Sequence, residues 1–369
     1  MFNLRKKSFK KFDFILLITT ILLCLYGLVL IYSATLSLES FRFVKTQSIA
    51  TLIGFAAILF FVFFDYQFLG KLYIPIYILS AGLLIAVLVM GVGDEQWGSR
   101  SWLYIGNFGF QPAEFVKVGL IISLAKYMDK HKEDLNTPFV LFKVLALAFF
   151  PVALILLQPD MGTSMVFIFI IAIMLFAGGI KWKYIGIAVV TGIMSLPAIW
   201  IRLDEFQKNR FLNFLEPERD VSNTGYQALQ GKIAIGSGKL FGRGLFKGTQ
   251  TQFNYIPEKQ TDFIFAVLVE ELGFIGGMVL IFLYFILLQR FLKIAKNSTD
   301  TFGSLMSVGL AAMFLFHIWE NIGMTIGLMP ITGIPLPFMS YGGTFQLINL
   351  ISVGIVLSVA LHREGLSFE

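Results

Sequence analysis

Residues 14–34 read FILLITTILLCLYGLVLIYSA, an apolar stretch without a charged side chain. The hydrocarbon core of a bilayer is about 30 Å thick, and a helix needs about 20 apolar residues to cross it. The stretch is also longer than the apolar part of a signal peptide, which has about 7–15 residues. We therefore expect residues 14–34 to form an uncleaved membrane-spanning helix.

Further long apolar stretches follow, and they are too continuous for barrel strands, which alternate polar and apolar side chains over about ten residues. Hydrophobic residues make up 57% of the 369 positions, against about 45–50% in soluble domains. The sequence therefore predicts an all-α polytopic membrane protein, a single integral membrane domain over residues 1–369. About ten transmembrane helices are expected, near residues 13–34, 46–66, 73–91, 112–128, 142–157, 162–179, 184–201, 262–288, 303–327 and 343–361.

Basic residues set the predicted orientation, because cytoplasmic loops carry an excess of Lys and Arg. Most basic residues that flank the predicted spans lie on the side of the N-terminus, whereas the short loops opposite hold only Arg42, Lys45 and Arg100. We expect a multi-pass protein of the bacterial plasma (inner) membrane with both termini in the cytoplasm. The loop 202–261, between spans seven and eight, is then a large extracytoplasmic loop.

Several kinds of site are excluded by composition and spacing. The sole cysteine, Cys24, lies inside the first span, and three scattered histidines do not form a zinc motif. Gly236-Ser-Gly238-Lys239 lacks the spacing of a phosphate-binding loop. The net charge of +6 follows the membrane orientation, so we expect membrane lipid and no nucleic acid among the partners.

Polar motifs gather at the predicted outer ends of the spans. Gln111-Pro-Ala-Glu114 opens the fourth span, and Lys117 lies on the same helix face as Glu114. A charge inside a span usually faces a cavity or a partner. An intrahelical pair is the alternative, and we favour a polar cavity near the outer surface.

Two further charged residues have a structural and a functional interpretation. Asp160, in Gln158-Pro-Asp160, either caps the sixth helix or contributes to a site. Arg210, in the large loop, either extends along the membrane interface or binds phosphate, which matches its fork of donors.

The sharpest signal is Gln260-Thr-Asp262-Phe, where a polar loop becomes a span directly. Asp262 is either an N-cap or a carboxylate beside apolar surface, whose partial desolvation would raise its pKa toward that of a general base. Deeper polar residues are expected to form a buried network that ties helices together: Glu270, Glu271, His317 and Glu320.

The segment from Pro330 to Gly343 is too dense in Pro and Gly for a regular helix. Irregular backbone at membrane depth is tolerated where protein buries it or where it lines a cavity. The segment contains Ser340 and either lines the site or forms a rigid turn.

Together these motifs resemble the SEDS family (shape, elongation, division and sporulation) of bacterial cell-wall synthesis, over essentially the whole chain. The carriers are Gln111-Pro-Ala-Glu114 with Lys117, Gln158-Pro-Asp160-Met-Gly-Thr-Ser164, Pro257-Glu-Lys-Gln-Thr-Asp262-Phe-Ile-Phe and Gly333-Ile-Pro-Leu-Pro-Phe-Met-Ser340-Tyr-Gly-Gly343. The sequences of these motifs are closer to those of the elongation members than to those of the division members. One departure is Arg100-Ser-Trp102, since many relatives place the basic residue directly before the Trp.

The resemblance implies a peptidoglycan glycosyltransferase that polymerises lipid II into glycan strands during cell elongation and releases undecaprenyl diphosphate. The implied partners are a class B penicillin-binding protein, which is the transpeptidase, and other elongation-complex proteins. In the family the residue matching Asp262 is the essential acid. The candidate substrate-binding residues are Glu114, Lys117, Arg210, Asp160, Trp102, Gln111 and Ser340.

The expected chemistry is an inverting transfer in which Asp262 takes the proton of the attacking sugar hydroxyl. Lys117, held by Glu114, and Arg210 are candidates to balance the charge of the diphosphate leaving group. The sequence implies no definite cofactor, and a divalent cation such as magnesium or manganese is an open alternative. A flippase for the lipid-linked precursor and a scaffold without activity are the other functions to be tested.

Overall fold

The computed structural model describes residues 12–93, 99–106, 108–216, 220 and 224–362. Long helices dominate it, as the apolar stretches predict, with one short antiparallel hairpin, β1 (Leu103–Ile105) and β2 (Phe108–Phe110). The helices are α1 (Phe14–Thr35), α2 (Arg42–Phe63), α3 (Tyr66–Lys71), α4 (Tyr73–Met90), α5 (Pro112–Lys130), α6 (Pro138–Leu156), α7 (Met161–Ala177), α8 (Trp182–Arg202), α9 (Glu205–Leu215), α10 (Thr224–Gly238), α11 (Thr249–Gln252), α12 (Ile264–Lys296), α13 (Thr301–Thr325) and α14 (Gly343–Leu361).

Every predicted span coincides with one of these helices, so the helical polytopic fold is confirmed. Within the described residues, seven helices are long and apolar enough to cross a membrane, namely α1, α2, α4, α6, α12, α13 and α14. Shorter apolar stretches cover Met161–Ala177 and Trp182–Ser195, and α5 carries several charged residues. The full number of spans therefore stays a prediction.

Helices α13 and α14 form the centre of the bundle, and most of their side chains are buried. Helix α14 packs along α2, and α13 packs against α12, α7 and α5. The outer helices expose apolar side chains, such as Leu52 of α2 and Ile78 of α4. Such surfaces suit contact with lipid, since a bilayer is itself an apolar solvent.

Helix α12 is interrupted at Gly273, where the backbone has a φ of 69°. The sequence predicts one continuous span here, so the interruption is a difference from expectation. A β-carbon at Gly273 would lie 2.3 Å from the amide N of Gly242, so the crossing of the two segments requires glycine.

Main-chain groups at the interruption form hydrogen bonds with the chain just after α10. The amide groups of Phe274 and Ile275 donate to the carbonyls of Lys239 and Leu240, at 2.8 Å and 3.2 Å. In return, the carbonyl of Glu270 accepts from the Arg243 amide at 3.0 Å. Backbone groups freed by a broken helix in apolar surroundings need such partners.

Glu270 and Glu271 are fully buried at this crossing. The Glu270 carboxylate accepts hydrogen bonds from the amide groups of Gln250 and Thr251, at 2.7 Å and 3.0 Å. The Glu271 carboxylate accepts from the Ser33 hydroxyl of α1 at 2.6 Å. The predicted buried network is confirmed at these two residues, and it ties the 239–252 segment as well as α1 to α12.

Candidate active site

Asp262 lies in the turn just before α12, and its backbone is held from two directions. Its carbonyl accepts a hydrogen bond from Asn321 Nδ2 of α13 at 2.9 Å. The carbonyl of the preceding Thr261 accepts from Ser340 Oγ at 2.6 Å. The N-cap position of α12 is Phe263, and no side chain caps this end. The capping interpretation of Asp262 is therefore wrong, because the chain makes another turn before the helix begins.

The Asp262 side chain is half-buried and faces the irregular segment that follows α13. A β-carbon on Gly333 would lie 3.5 Å from Asp262 Oδ2. Burial raises the pKa of Asp262 to about 7, with a further increase from the charge of Glu258 and an opposing effect from Arg210. A carboxylate with this pKa can both accept and release a proton near neutral pH.

Arg210, on α9, brings a positive charge between two carboxylates. Burial lowers the pKa of the guanidinium, and the charges of Asp262 and Asp160 act in the opposite direction. Its Nη1 donates to the carbonyl of Thr332 at 3.3 Å. The structure thus brings Arg210, Asp160 and Asp262 together, although they come from three separate parts of the chain.

Asp160 caps α7, as one of its two interpretations predicts. Its Oδ1 accepts from the amide of Thr163 at 3.0 Å, and its Oδ2 accepts from the Thr163 hydroxyl at 2.8 Å. Gln111 Nε2 lies 3.5 Å from the same Oδ2. Gln111 is therefore placed beside Asp160, and capping leaves Asp160 within electrostatic reach of Arg210.

Glu114 and Lys117 form an ion pair that is closed to solvent. Lys117 Nζ lies 2.9 Å from Glu114 Oε2 and 2.8 Å from His317 Nε2, and the lysine is only 1% exposed. His317 Nδ1 lies 3.1 Å from the carbonyl of Pro335. The pair is thus part of a buried network that joins α5, α13 and the Pro-rich segment.

Ser340 is fully buried, and its hydroxyl both donates and accepts a hydrogen bond. It donates to the Thr261 carbonyl and accepts from the Leu336 amide at 2.8 Å. The geometry gives Ser340 the role of holding the turn that carries Asp262, and a direct contact with substrate stays a prediction.

Asn321 is a residue that the sequence analysis did not single out. It is fully buried, and its Nδ2 bridges the carbonyls of Asp262 and Ile334, at 2.9 Å and 2.8 Å. The available signal was an amide side chain in an apolar helix, directly after Glu320. Polar residues in such helices commonly face the protein interior and have a defined partner.

Glu320 and Trp102 lie at the edges of this region. Glu320 Oε1 accepts from the hydroxyl of Thr332 at 2.9 Å, which completes the predicted polar network on α13. Trp102 is half-buried and pairs through its backbone with Val92, at the base of the hairpin that leads to Gln111. Its role in binding substrate stays a prediction.

A metal site made by the protein alone is not found in the part of the chain that the structure describes. No group of three or more His, Cys, Asp or Glu side chains there could hold an ion. Asp160 and Asp262 lie within electrostatic reach of Arg210.

Comparison with known sequences shows the family of the chain. The profile of the FtsW/RodA/SpoVE family, described as cell cycle proteins, matches residues 13–365. A probable peptidoglycan glycosyltransferase FtsW from Trichlorobacter lovleyi is 36% identical, over 98% of this chain and 96% of its own length. The peptidoglycan glycosyltransferase MrdB from Escherichia coli is 39% identical, over 79% of this chain and 78% of its own length.

Solved structures give the same result at the level of the fold. A chain from a peptidoglycan synthase complex that coordinates polymerization and crosslinking superposes with a TM-score of 0.83 at 30% identity, covering 96% of this chain and 99% of that chain. The rod shape determining protein RodA from Thermus thermophilus superposes with a TM-score of 0.72 at 28% identity, covering 95% and 97%. The chain belongs to the FtsW/RodA/SpoVE family of cell cycle proteins, the SEDS family that its motifs predict.

Proposed function

We propose that this chain is a peptidoglycan glycosyltransferase that polymerises lipid II at the outer face of the plasma membrane. The observation that carries the proposal is the Asp262 carboxylate, half-buried beside Arg210, with a pKa raised to about 7. The names of the relatives support the reaction class. The two relatives are named for different members of the family, so the elongation role is part of the proposal.

In this reaction the 4-hydroxyl of the acceptor GlcNAc attacks C1 of the donor MurNAc. The new O4–C1 bond forms as the bond from C1 to the diphosphate oxygen breaks, with inversion at C1. The hydroxyl proton passes to the Asp262 carboxylate, whose pKa, raised to about 7, makes it a stronger base than an ordinary aspartate. Undecaprenyl diphosphate leaves and needs no protein acid.

The diphosphate gains negative charge as it leaves, and positioned positive charge stabilises that change. Arg210 is the cation that the geometry supports for this role, since it lies within electrostatic reach of Asp262. Lys117 is paired with Glu114 and closed to solvent, so we assign it a positioning role through His317.

We also propose the sidedness and the partner. Both termini lie in the cytoplasm and the 202–261 loop lies outside, because basic residues flank the opposite ends of the spans. The partner is a class B penicillin-binding protein that crosslinks the strands made here. A relative of this fold in a peptidoglycan synthase complex supports that assembly.

The test uses pure lipid II, the purified full chain and gel analysis of the glycan formed, with and without a transpeptidase. Asp262→Asn should abolish polymer, because an amide cannot take the proton. Glu205→Gln, a change of the same kind at an exposed carboxylate on α9, should leave polymer unchanged. Polymer made by Asp262→Asn would remove the base from the mechanism, and lipid II translocation in vesicles without polymer would favour a flippase.

A further inference from the structure

Lys259 is a buried lysine in the turn that leads to Asp262, and the mechanism above gives it no role. The residue is only 3% exposed, and its Nζ donates three hydrogen bonds. The acceptors are the hydroxyl of Ser37 at 2.7 Å, the carbonyl of Thr251 at 2.7 Å and Oδ1 of Asn254 at 2.6 Å. An ammonium has three N–H donors, so each of them has a partner inside the protein.

The turn that carries Asp262 is held from two sides. On one side, the carbonyls of residues 260–262 accept hydrogen bonds from three residues, namely Asn321, Ser340 and Tyr341. On the other side, Lys259 reaches the chain just after α1 and the 251–254 segment. The position of the carboxylate therefore depends on both groups of contacts.

Two buried carboxylates favour a cation at this position. Burial lowers the pKa of Lys259 to about 8, and the charges of Glu270 and Glu271 act in the opposite direction. Thr251 links these groups, because its carbonyl accepts from Lys259 while its amide and its hydroxyl donate to Glu270. The network thus connects the turn before α12 to the crossing farther along the same helix.

We propose that Lys259 is a positioning residue for the glycosyl transfer, whose ammonium fixes the turn of Asp262 against the end of α1 and the 251–254 segment. The inference rests on the proposed function, in which Asp262 accepts the proton of the sugar hydroxyl. Lys259 has no donor left for substrate, so it acts through the turn. A misplacement of about 1 Å can cost about 10²-fold in rate, so loss of this anchor should lower kcat.

Polymerisation of lipid II by the purified full chain tests the positioning role. Lys259→Met keeps the apolar stem of the side chain and removes its donors, so we expect kcat to fall about tenfold while KM changes less. Lys239→Met is the matched control, since Lys239 is an exposed lysine just beyond the end of α10, and it should behave like the wild type. An unchanged kcat in Lys259→Met overturns the positioning role.

The pH profile of kcat gives a second reading. Lys259 is charged below its pKa of about 8 and neutral above it, and a neutral amine has only two donors for the three acceptors. The rate of the wild type should therefore fall above about pH 8, after the rise that Asp262 causes near pH 7. This falling limb should be absent from Lys259→Met, and a limb that persists there at the same pH contradicts the assignment.

A milder variant guards against a folding defect. Ser37→Ala removes one of the three acceptors and leaves Lys259 in place, so it should lower kcat by a smaller factor than Lys259→Met does. Where Lys259→Met does not fold, an unchanged kcat in Ser37→Ala overturns the role.

A measurement without turnover separates the anchor from the proposed function. Hydrogen exchange of the backbone amides in residues 255–263 should be faster in Lys259→Met than in the wild type, and unchanged in Lys239→Met. Equal exchange in all three proteins would show that Lys259 does not hold the turn. Because no glycan is formed in this measurement, it tests the anchor even where the wild type makes no polymer and the proposed function fails.

Discussion

The turn at Asp262 and the helix crossing at Glu270 and Glu271 are close in sequence, but their carboxylates differ in burial and in hydrogen bonding. The two glutamates are fully buried, and their oxygens accept hydrogen bonds from amide and hydroxyl donors. The Asp262 carboxylate is half-buried, and it accepts no hydrogen bond from any described residue. A carboxylate with its donors in place holds structure, whereas one without them, next to a cation, is available to take a proton.

The test with the largest expected effect replaces the carboxylate of Asp262 by an amide, for comparison with the same change at Glu270. Asp262→Asn should leave no polymer detectable on the gel, because a general base usually contributes about 10²–10⁴-fold to the rate, and it should not change the thermal midpoint of unfolding. Polymerisation rates and melting curves of the same preparation provide both readings. A fall in thermal midpoint as large as that of the Glu270 variant below would place Asp262 among the structural carboxylates.

The second test concerns the amide that holds Asp262 in place. Asn321→Leu removes the donor shared by the carbonyls of Asp262 and Ile334, so we expect kcat to fall about 10–100-fold through misplacement of the carboxylate. KM should change less, because Asn321 is fully buried.

Asn349→Leu is its matched control, because Asn349 is also buried and its Nδ2 has no partner among the described residues. Equal losses of kcat in the two variants would show that any buried amide matters as much, and the positioning role of Asn321 would be wrong.

The third test addresses the hydrogen-bonded carboxylates at the helix crossing. Glu270→Gln replaces an acceptor of two amide N–H bonds and two hydroxyl bonds, and it should lower the free energy of unfolding by about 1–3 kcal/mol. Thermal unfolding in detergent measures the change, with Glu205→Gln as the exposed control. An unchanged melting curve would mean that the crossing does not depend on this carboxylate.

The smallest effect is a shift in pH dependence. Because the base acts in its ionised form, the polymerisation rate should rise with pH through a midpoint near 7, the pKa of Asp262. Arg210→Gln removes a charge that favours ionisation, so the midpoint should rise, and Glu258→Gln removes a repelling charge, so it should fall.

The measured quantity in these pH profiles is the midpoint and not the maximal rate, which Arg210 also affects. Shifts of the same sign in the two variants would contradict the assigned electrostatics.

The helical fold was predictable because twenty apolar residues in a row have few structural solutions in a bilayer. The junction at Asp262 was predictable for the same reason, since a polar loop becomes a span there. The interruption at Gly273 was not, because its flanking residues are apolar on both sides and its partner segment at Leu240 lies far away in sequence.

Within the site, pairs on one helix were easier to predict than pairs between helices. Glu114 and Lys117 are three residues apart, and helix geometry brings them together. The contact of Lys117 with His317, and the approach of Arg210 to Asp160 and Asp262, depend on tertiary packing that no local pattern encodes. Ser340 shows the same limit, since its motif marks it as important without telling whether it binds substrate or holds the turn.

The interruption at Gly273 has a mechanical consequence. Main-chain bonds run both ways between α12 and the chain after α10, through Lys239 and Arg243. The first half of α12 follows directly on Asp262. A displacement of the 239–243 segment would therefore be transmitted along that half-helix to the turn that carries Asp262. The position of the Asp262 turn is therefore tied, through the main chain, to that of the 239–243 segment.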